Sequence, residues 1–185
     1  IRYRWRSACR LRTEATRGNG YMVEMVVESV RVNLINPNRV VVLKEKERDR
    51  YLAIVIGGPE ADAIAIKLQD RDAPRPLTHD LIKNIIENVG AQVVRITVSS
   101  LVDQVYYASI VIKSNGSEMD IDSRPSDAIA LAVRTGVPIL VSEEVLEAAG
   151  IVPDDEVESE VVTEEELKPF RDFINQLDLD DLGGE

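Results

Sequence analysis

The stretch YLAIVIGGPEADAIAIKL at residues 51–68 decides the fold class, because its hydrophobic period changes in the middle. Residues 51–56 are apolar on both faces, which is typical of a central β-strand. Gly57-Gly58-Pro59 then ends the strand and begins a helix, since proline near the first helical position loses no hydrogen bond. The helix is predicted to pack on a sheet through an apolar stripe formed by Ala61, Ile64, Ala65 and Leu68.

Upstream, two further strands are predicted. Apolar and polar residues alternate over residues 22–34, which is the period of a half-buried strand. Residues 40–43 form a short β-branched run after a turn at Asn36-Pro37-Asn38. Together with residues 51–56, these segments are expected to form a meander.

Three more strands are predicted downstream, at residues 93–98, 105–112 and 117–121. Asn115-Gly116 joins the last two as a hairpin turn. DAIAL at residues 127–131 repeats DAIAI at residues 62–66, and each follows strands and a proline-led helix start. The sequence thus predicts an α+β fold with a mixed or antiparallel sheet, helices packed on it, and duplication of a unit of strands followed by a helix.

A second amphipathic helix is predicted over residues 77–89, with Gly90 ending it. Thr78 is a suitable N-cap, and Leu77 and Ile82 have the spacing of a hydrophobic staple. The predicted buried stripe consists of Leu77, Leu81, Ile82, Ile85, Ile86 and Val89.

The charge distribution divides the chain into three predicted parts. Residues 1–21 are a basic extension, expected to be disordered, and residues 1–20 hold six arginines and one acid. Residues 22–150 form the folded domain, and residues 151–185 are an acidic linker and a helix kinked near Pro169. A basic arm that holds nucleic acid is the alternative interpretation of the extension.

The net charge of −11 restricts the kinds of partner that the chain can bind. An acidic protein is a poor surface for sequence-independent phosphate binding, so a nucleic-acid site needs a local basic groove or metal ions. The single cysteine, Cys9, cannot form an internal disulfide. No apolar run is long enough to cross a bilayer and no secretory signal is visible, so we expect a cytoplasmic location and no membrane partner.

The segment PRPLTHD at residues 74–80 holds the only histidine and begins the second helix. Free N–H groups at a helix start favour an anion, and Arg75 adds a forked donor. His79 could relay a proton, oriented by a carboxylate such as Asp80. Alternatively, Thr78 caps the helix, Asp80 complements its dipole, and His79 lies on the surface.

The segment DIDSRPSD, which begins at Asp120, precedes the third helix. Asp120 and Asp122 share one strand face, and with Asp127 they could share a divalent cation. Alternatively, Ser123 or Ser126 caps the helix, Asp127 complements the dipole, and the strand acids form a solvated face. The segment resembles the first in having an Arg-Pro helix start with hydroxyl and carboxylate groups.

Several common catalytic and binding motifs are missing from the sequence. It contains no phosphate-binding loop with lysine, GxGxxG, HExxH or cysteine pair for zinc. It also lacks a GxSxG elbow and the aromatic strand motifs of RNA-binding domains. Because the chain has one histidine, any serine triad would have to use His79.

Three motifs in order resemble the bifunctional nuclease family. They are IGGPEA at residues 56–61 followed by an Ala/Ile helix, RPLTHDL at residues 75–81, and DIDSRPSDAIA at residues 120–130. The resemblance covers about residues 24–145. It implies DNase and RNase activity without an organic cofactor, and a wedge-shaped homodimer with a large groove.

The matching positions define the candidate site. The predicted catalytic residues are His79, Asp80 and Asp127, and the predicted metal ligands are Asp120 and Asp122. The predicted substrate-binding residues are Glu60, Arg75, Thr78, Ser123, Arg124 and Ser126. In the nuclease hypothesis Arg75 and Arg124 hold a phosphodiester from one concave surface. His79, or Asp80 through a metal-bound water, activates the nucleophile, and the cation is Mg²⁺ or Mn²⁺.

Two other functions stay open at the level of the sequence. Arg-rich helix starts bind small carboxylates or nucleotides without doing chemistry, as in a regulatory domain. Alternatively, the chain is a structural dimer whose polar motifs only cap helices and join subunits.

Overall fold

The structure is a computed structural model that describes residues 20–32, 38–71 and 73–153. All but the last two residues of the predicted basic extension lie outside the described residues, and so does the predicted C-terminal helix near Pro169. None of the described helices is long and apolar enough to cross a membrane.

The described residues form eight strands and four helices. The strands are β1 (Met22–Val32), β2 (Arg39–Glu45), β3 (Tyr51–Ile56), β4 (Ala91–Val102), β5 (Val105–Ser114), β6 (Ser117–Ser123), β7 (Ile139–Ser142) and β8 (Gly150–Ile151). The helices are α1 (Gly58–Leu68), α2 (Thr78–Asn88), α3 (Pro125–Thr135) and α4 (Glu143–Ala149). The predicted strands and the first three predicted helices are present.

All eight strands belong to one mixed sheet in the order β6-β5-β4-β7-β1-β2-β3-β8. Strands β1–β3 and β4–β6 form two antiparallel meanders, and each is followed directly by a helix. Strand β7 joins the meanders, antiparallel to β1 and parallel to β4. The α+β prediction is confirmed, and the arrangement of the meanders agrees with the predicted duplication.

Positive φ angles occur at the turns that position the second meander. Asn115 and Gly116 have φ angles of 51° and 82°, as the predicted hairpin requires. Asp103 and Gln104, with φ angles of 49° and 64°, make the β4–β5 turn in the same way. The sequence did not identify this turn because neither residue is glycine.

The core lies between the sheet and helices α1 and α3, which also pack against each other. Helix α3 is buried on nearly every side through its alanines, whose small side chains allow close helix packing. Fully buried large residues such as Leu43, Ile64 and Ile129 each contribute roughly 1.5–3 kcal/mol of hydrophobic free energy. In α1, Ala63 is buried and Leu68 is exposed, so the predicted stripe is wrong at its last position.

Helix α2 is rotated relative to the prediction. His79 is buried, and Ile82 and Ile86 pack against the core at helical spacing from it. The other predicted core residues, Leu81, Ile85 and Val89, are exposed. The prediction was wrong because the helix has two apolar stripes. The stripe that packs against the core contains His79, and a histidine is not expected at a buried position.

The start of α2 also differs from the prediction. Leu77 is the N-cap and Thr78 is the first helical residue, so neither the predicted Thr78 cap nor the staple at Leu77 forms. Instead, the Asp80 carboxylate accepts a hydrogen bond from the Leu77 backbone N–H at 2.9 Å. A carboxylate in the first turn thus replaces the hydroxyl cap.

Candidate functional site

The N-terminal ends of three helices lie close together. Side chains at these helix starts contact each other. Glu60 lies in the first turn of α1, His79 in that of α2 and Asp127 in that of α3. Arg124 is the N-cap of α3. These four residues come from segments far apart in sequence and form a continuous hydrogen-bonded chain. We call Glu60, His79, Arg124 and Asp127 the helix-start cluster.

Arg124 connects two carboxylates in the helix-start cluster. Its Nη2 donates to Glu60 Oε1 at 2.5 Å, and its Nε donates to Asp127 Oδ2 at 2.8 Å. The Arg124 side chain stays 65% exposed, whereas the Glu60 side chain is mostly buried. A guanidinium has five N–H donors, so three of them are left for a ligand.

The ion pairs of Arg124 favour the charged forms of Glu60 and of Arg124 itself. The Glu60 carboxylate accepts a hydrogen bond from the backbone N–H of Glu60 itself and a second one from the Arg124 side chain. Both hydrogen bonds lower the pKa of Glu60. The hydrogen bond to Asp127, followed by that to Glu60, raises the pKa of Arg124. Glu60 is therefore ionised at neutral pH. The positive ends of the helix dipoles at the helix starts also favour a carboxylate.

His79 is 5% exposed and completes the helix-start cluster. Its Nε2 lies 3.1 Å from Asp127 Oδ1. Because an ionised carboxylate only accepts hydrogen bonds, neutral His79 carries its proton on Nε2 in this pair. Its Nδ1 is buried and has no hydrogen-bond partner among the described residues. The ring is therefore placed to orient Asp127, with its second nitrogen turned away from solvent.

Asp80 points to a different part of α3 than its neighbour His79 does. Arg134 Nε donates to Asp80 Oδ1 at 2.7 Å. Burial opposes ionisation of Asp80, but the hydrogen bonds from the Leu77 N–H and from Arg134 outweigh it and lower its pKa. The sequence analysis did not predict a role for Arg134; its signal is an arginine that directly follows the apolar residues 128–133 of an alanine-rich helix.

Arg39 is a second residue with a role that the sequence did not predict. Its Nη1 donates to the Gly58 backbone oxygen at 2.8 Å and also pairs with Asp62. The arginine at the start of β2 thus holds the first turn of α1. No local sequence signal identifies it, because the contact depends on the β2–β3 register.

The remaining predicted site residues do not join the helix-start cluster. Ser126 is buried, Thr78 is exposed, and the Ser123 hydroxyl is buried without a hydrogen-bond partner in the described part of the chain. Asp120 and Asp122 are exposed on β6, an edge strand of the sheet. Across residues 20–32, 38–71 and 73–153, no three Asp, Glu, His or Cys side chains are grouped closely enough to hold a metal.

Arg75 lies beside the helix-start cluster rather than in it. It is exposed and lines a cavity of about 300 Å³ together with Asp80 and Arg134. Arg124 begins α3 and Arg134 lies in its last turn. The two predicted phosphate-binding arginines thus belong to two adjoining sites, and the side chains of His79 and Asp80 link these sites.

Comparison with known proteins adds the family. The family model for the bifunctional nuclease domain matches residues 41–154, which is more than half of the chain. The chain belongs to the bifunctional nuclease domain family. All four residues of the helix-start cluster fall within the matched range.

Relatives of this family member divide into two groups. An uncharacterized protein of Mycobacterium tuberculosis is 39% identical over 164 residues, which cover 87% of this chain and 98% of that protein. Bifunctional nuclease 1 of Oryza sativa subsp. japonica is 29% identical over 113 residues, or 59% of this chain. Bifunctional nuclease 2 of Arabidopsis thaliana is 29% identical over 111 residues. The alignments cover only 34% of each of these two plant proteins.

Proposed function

We propose that this chain is a nuclease that hydrolyses phosphodiester bonds of DNA and RNA at the helix-start cluster. The observation that carries the proposal is the exposed Arg124 guanidinium, held by two carboxylates where three helices begin. Guanidinium groups bind phosphate oxygens through paired, charge-assisted hydrogen bonds. Family membership and the names of the plant relatives support the same reaction class.

The cluster offers a distinct role to three of its side chains, and Glu60 holds Arg124 in place. Arg124 binds the phosphate and stabilises the negative charge that grows on its oxygens as water attacks phosphorus. Asp127 accepts the proton of that water, since a carboxylate has lone pairs beyond those used by Arg124 and His79. The sugar oxygen leaves and takes a proton from solvent. His79 is a positioning residue, because its free nitrogen is buried.

The predicted Mg²⁺ or Mn²⁺ does not enter this scheme. The described residues form no group of three metal-binding side chains, and Asp120 and Asp122 are exposed on β6, outside the helix-start cluster. We therefore derive no step through a metal at Asp120, Asp122 or Asp127. Adding EDTA and then restoring each cation during the activity assay measures whether one is needed.

The first experiment tests cleavage by the purified protein. End-labelled single-stranded DNA and RNA are incubated with the wild type, Arg124→Ala and Asp127→Asn, and products are separated on gels. We expect both variants to lose about 100-fold or more in rate, as for other removed transition-state partners. Arg48→Ala is the matched control, because that arginine is 75% exposed and, among the described residues, forms an ion pair only with Glu45, at 3.9 Å.

Circular dichroism of each variant separates loss of activity from loss of fold. Cleavage that persists in both cluster variants contradicts the proposal and identifies a contaminating nuclease. The cavity beside the cluster favours one alternative function, which is nucleotide binding without hydrolysis. Thermal stabilisation by a nucleotide with no cleavage of either polymer supports this alternative.

A further inference from the structure

A basic pocket adjoins the helix-start cluster at the end of α1 and the start of α2. Its volume is about 300 Å³, at the small end of ligand-binding cavities. The basic side chains that line it come from α1, α2, α3 and the loop before α2: Lys67, Arg71, Arg75, Lys83 and Arg134. We call these five residues the basic pocket.

The described lining residues give the basic pocket a clear positive charge. Asp80 is the one acid among them, and Arg134 neutralises it. Arg134 is itself almost fully buried and also donates to the backbone oxygens of Ala130 and Ala63. It thus forms a fixed part of the wall. The other four cations supply the charge that an anion meets.

The ion pairs of the two lysines leave them able to bind a ligand. Lys67 pairs with Asp70 at 3.4 Å, and Lys83 pairs with Glu87 at 3.8 Å. Both acids are more than half exposed, and water screens such surface ion pairs, so they are weak. A bound phosphate can replace these partners at little cost. The positive pocket contrasts with a chain whose net charge is −11.

The loop that carries Arg75 is stiff. Pro74 fixes its own φ, and Pro76 restricts the residue before it, Arg75, to extended conformations. The Arg75 backbone therefore loses less conformational entropy when the side chain binds a ligand. A cation held between two prolines favours a binding site over a merely solvated loop.

We infer that the basic pocket binds a phosphate group of a nucleotide, either free or within a nucleic-acid strand. No aromatic side chain lines it among the described residues, so it contacts the phosphate without stacking on the base. The strand form of this inference rests on the proposed nuclease function. It predicts binding that is insensitive to base identity and strongly weakened by salt.

The position of the pocket gives it a role in holding the substrate. His79 contacts Asp127 while Asp80 contacts Arg134, seven residues further along α3. Seven residues of helix rise by about 10 Å, which is more than the spacing of neighbouring phosphates along one strand. Arg75 and Arg124 therefore hold different phosphates of one strand, in place of the single phosphodiester that the sequence predicted for both.

Strand binding tests the inference without requiring cleavage. Fluorescence anisotropy gives the Kd of a labelled single-stranded 12-mer in an Asp127→Asn background, with and without Arg75→Glu. We expect Arg75→Glu to raise Kd about 10-fold and to reduce the salt slope of log K by about one. Arg71→Glu serves as a second variant, and Arg48→Glu is the control, since Arg48 does not line the pocket.

The source of the phosphate is settled by a second titration. Adenosine monophosphate is titrated into the wild type and into Arg75→Glu by calorimetry. Binding heat in the wild type that is absent in Arg75→Glu shows that the pocket also binds free nucleotides. Strand binding that depends on Arg75 without this heat assigns it to the polymer. An unchanged Kd and salt slope in both pocket variants, with no Arg75-dependent heat, overturns the inference.

The two proposals fail separately. Cleavage by the wild type together with binding that ignores Arg75 and Arg71 keeps the nuclease and rejects the pocket. Binding that depends on Arg75, in a wild-type protein that cuts neither polymer, keeps the pocket and rejects the nuclease.

Discussion

Glu60 folds back over Gly57, and this local contact fixes one end of the helix-start cluster. A Cβ added at Gly57 would overlap Glu60 Oε2, so only glycine leaves room for the carboxylate in this position. The backbone of Gly57 has a φ of −69°, which any residue adopts. Glycine is thus needed here for space and not for conformation.

The substitution Gly57→Ala therefore displaces Glu60 without removing it. We expect nuclease activity to fall about 10-fold, because Arg124 loses one of the carboxylates that hold it, a contact of roughly 1–3 kcal/mol. The free energy of unfolding should change by less than about 1 kcal/mol, measured by urea titration. Cleavage rates on labelled single-stranded DNA give the activity.

Gly58→Ala is the matched control for this prediction. A Cβ at Gly58 would lie at an ordinary contact distance of 3.7 Å from Arg39 Cζ. Its activity should equal that of the wild type. Full activity in Gly57→Ala would show that the position of Glu60 does not matter for cleavage.

At the scale of the element, α2 has two apolar faces and the core takes one of them. Ile82 and Ile86 pack inward beside His79, whereas Leu81, Ile85 and Val89 are 54%, 53% and 70% exposed. Large apolar side chains at i, i+4 and i+8 form a continuous stripe on a helix. Such a stripe is typical of a protein–protein interface, so we propose that it lies in the predicted homodimer interface.

The substitution Ile85→Glu tests this placement. A charge at the centre of the stripe would be desolvated in the interface without a partner, so we expect the dimer to dissociate into monomers. Light scattering after size-exclusion chromatography measures the mass of the particle. Val102→Glu, at an exposed apolar position that ends β4, is the control and should stay dimeric.

A monomeric wild type, or a dimer that survives Ile85→Glu, contradicts the proposed interface. The spectrum of the variant in circular dichroism should match the wild type, since Ile85 is exposed. These outcomes distinguish the proposed role of α2 in a dimer interface from its packing against the core.

At the scale of the molecule, one arginine ties the first meander to a helix far along the chain. Arg50 Nε donates to Glu45 Oε2 at 2.8 Å, and its Nη1 donates to Glu143 Oε1 at 2.6 Å. Arg50 and Glu45 are largely buried, and Glu143 begins α4. The hydrogen bond from Arg50 lowers the pKa of Glu143.

The substitution Arg50→Met removes the hydrogen-bonded cation of the buried Glu45 and leaves it only the longer ion pair with Arg48, at 3.9 Å. We expect the free energy of unfolding at pH 7 to fall by about 3 kcal/mol, measured by urea titration. Because the folded pKa of Glu143 lies below its ordinary value, its contribution is present above that value and is lost as pH falls through the folded pKa. The difference between wild type and variant should therefore shrink in acid.

Arg48→Met provides the comparison, because Arg48 lies in the same turn but is 75% exposed. Its free energy of unfolding should stay within about 0.5 kcal/mol of the wild type. If the loss in free energy of unfolding caused by Arg50→Met does not change with pH, the ion pair between Arg50 and Glu143 does not contribute to stability as proposed.

Much of the fold and most of the cluster could be predicted from local signals. Asn115, Gly116 and Gly90 take positive φ angles, which asparagine and glycine tolerate, so the hairpin turn and the end of α2 could be predicted from the sequence. The insertion of β7 between the two meanders is not readable, since strand pairing joins segments that are distant in sequence. Arg134 was missed for the same reason, because its value depends on contacts with two other helices.

The sequence alone predicts most strands and helices, the family motifs and the residue types suited to phosphate binding, because these follow from neighbours along the chain. The tertiary structure places His79 against Asp127 and Arg75 in a pocket of its own. It also decided which face of α2 is buried. These outcomes depend on packing free energy summed over the whole core, which no single segment of sequence contains.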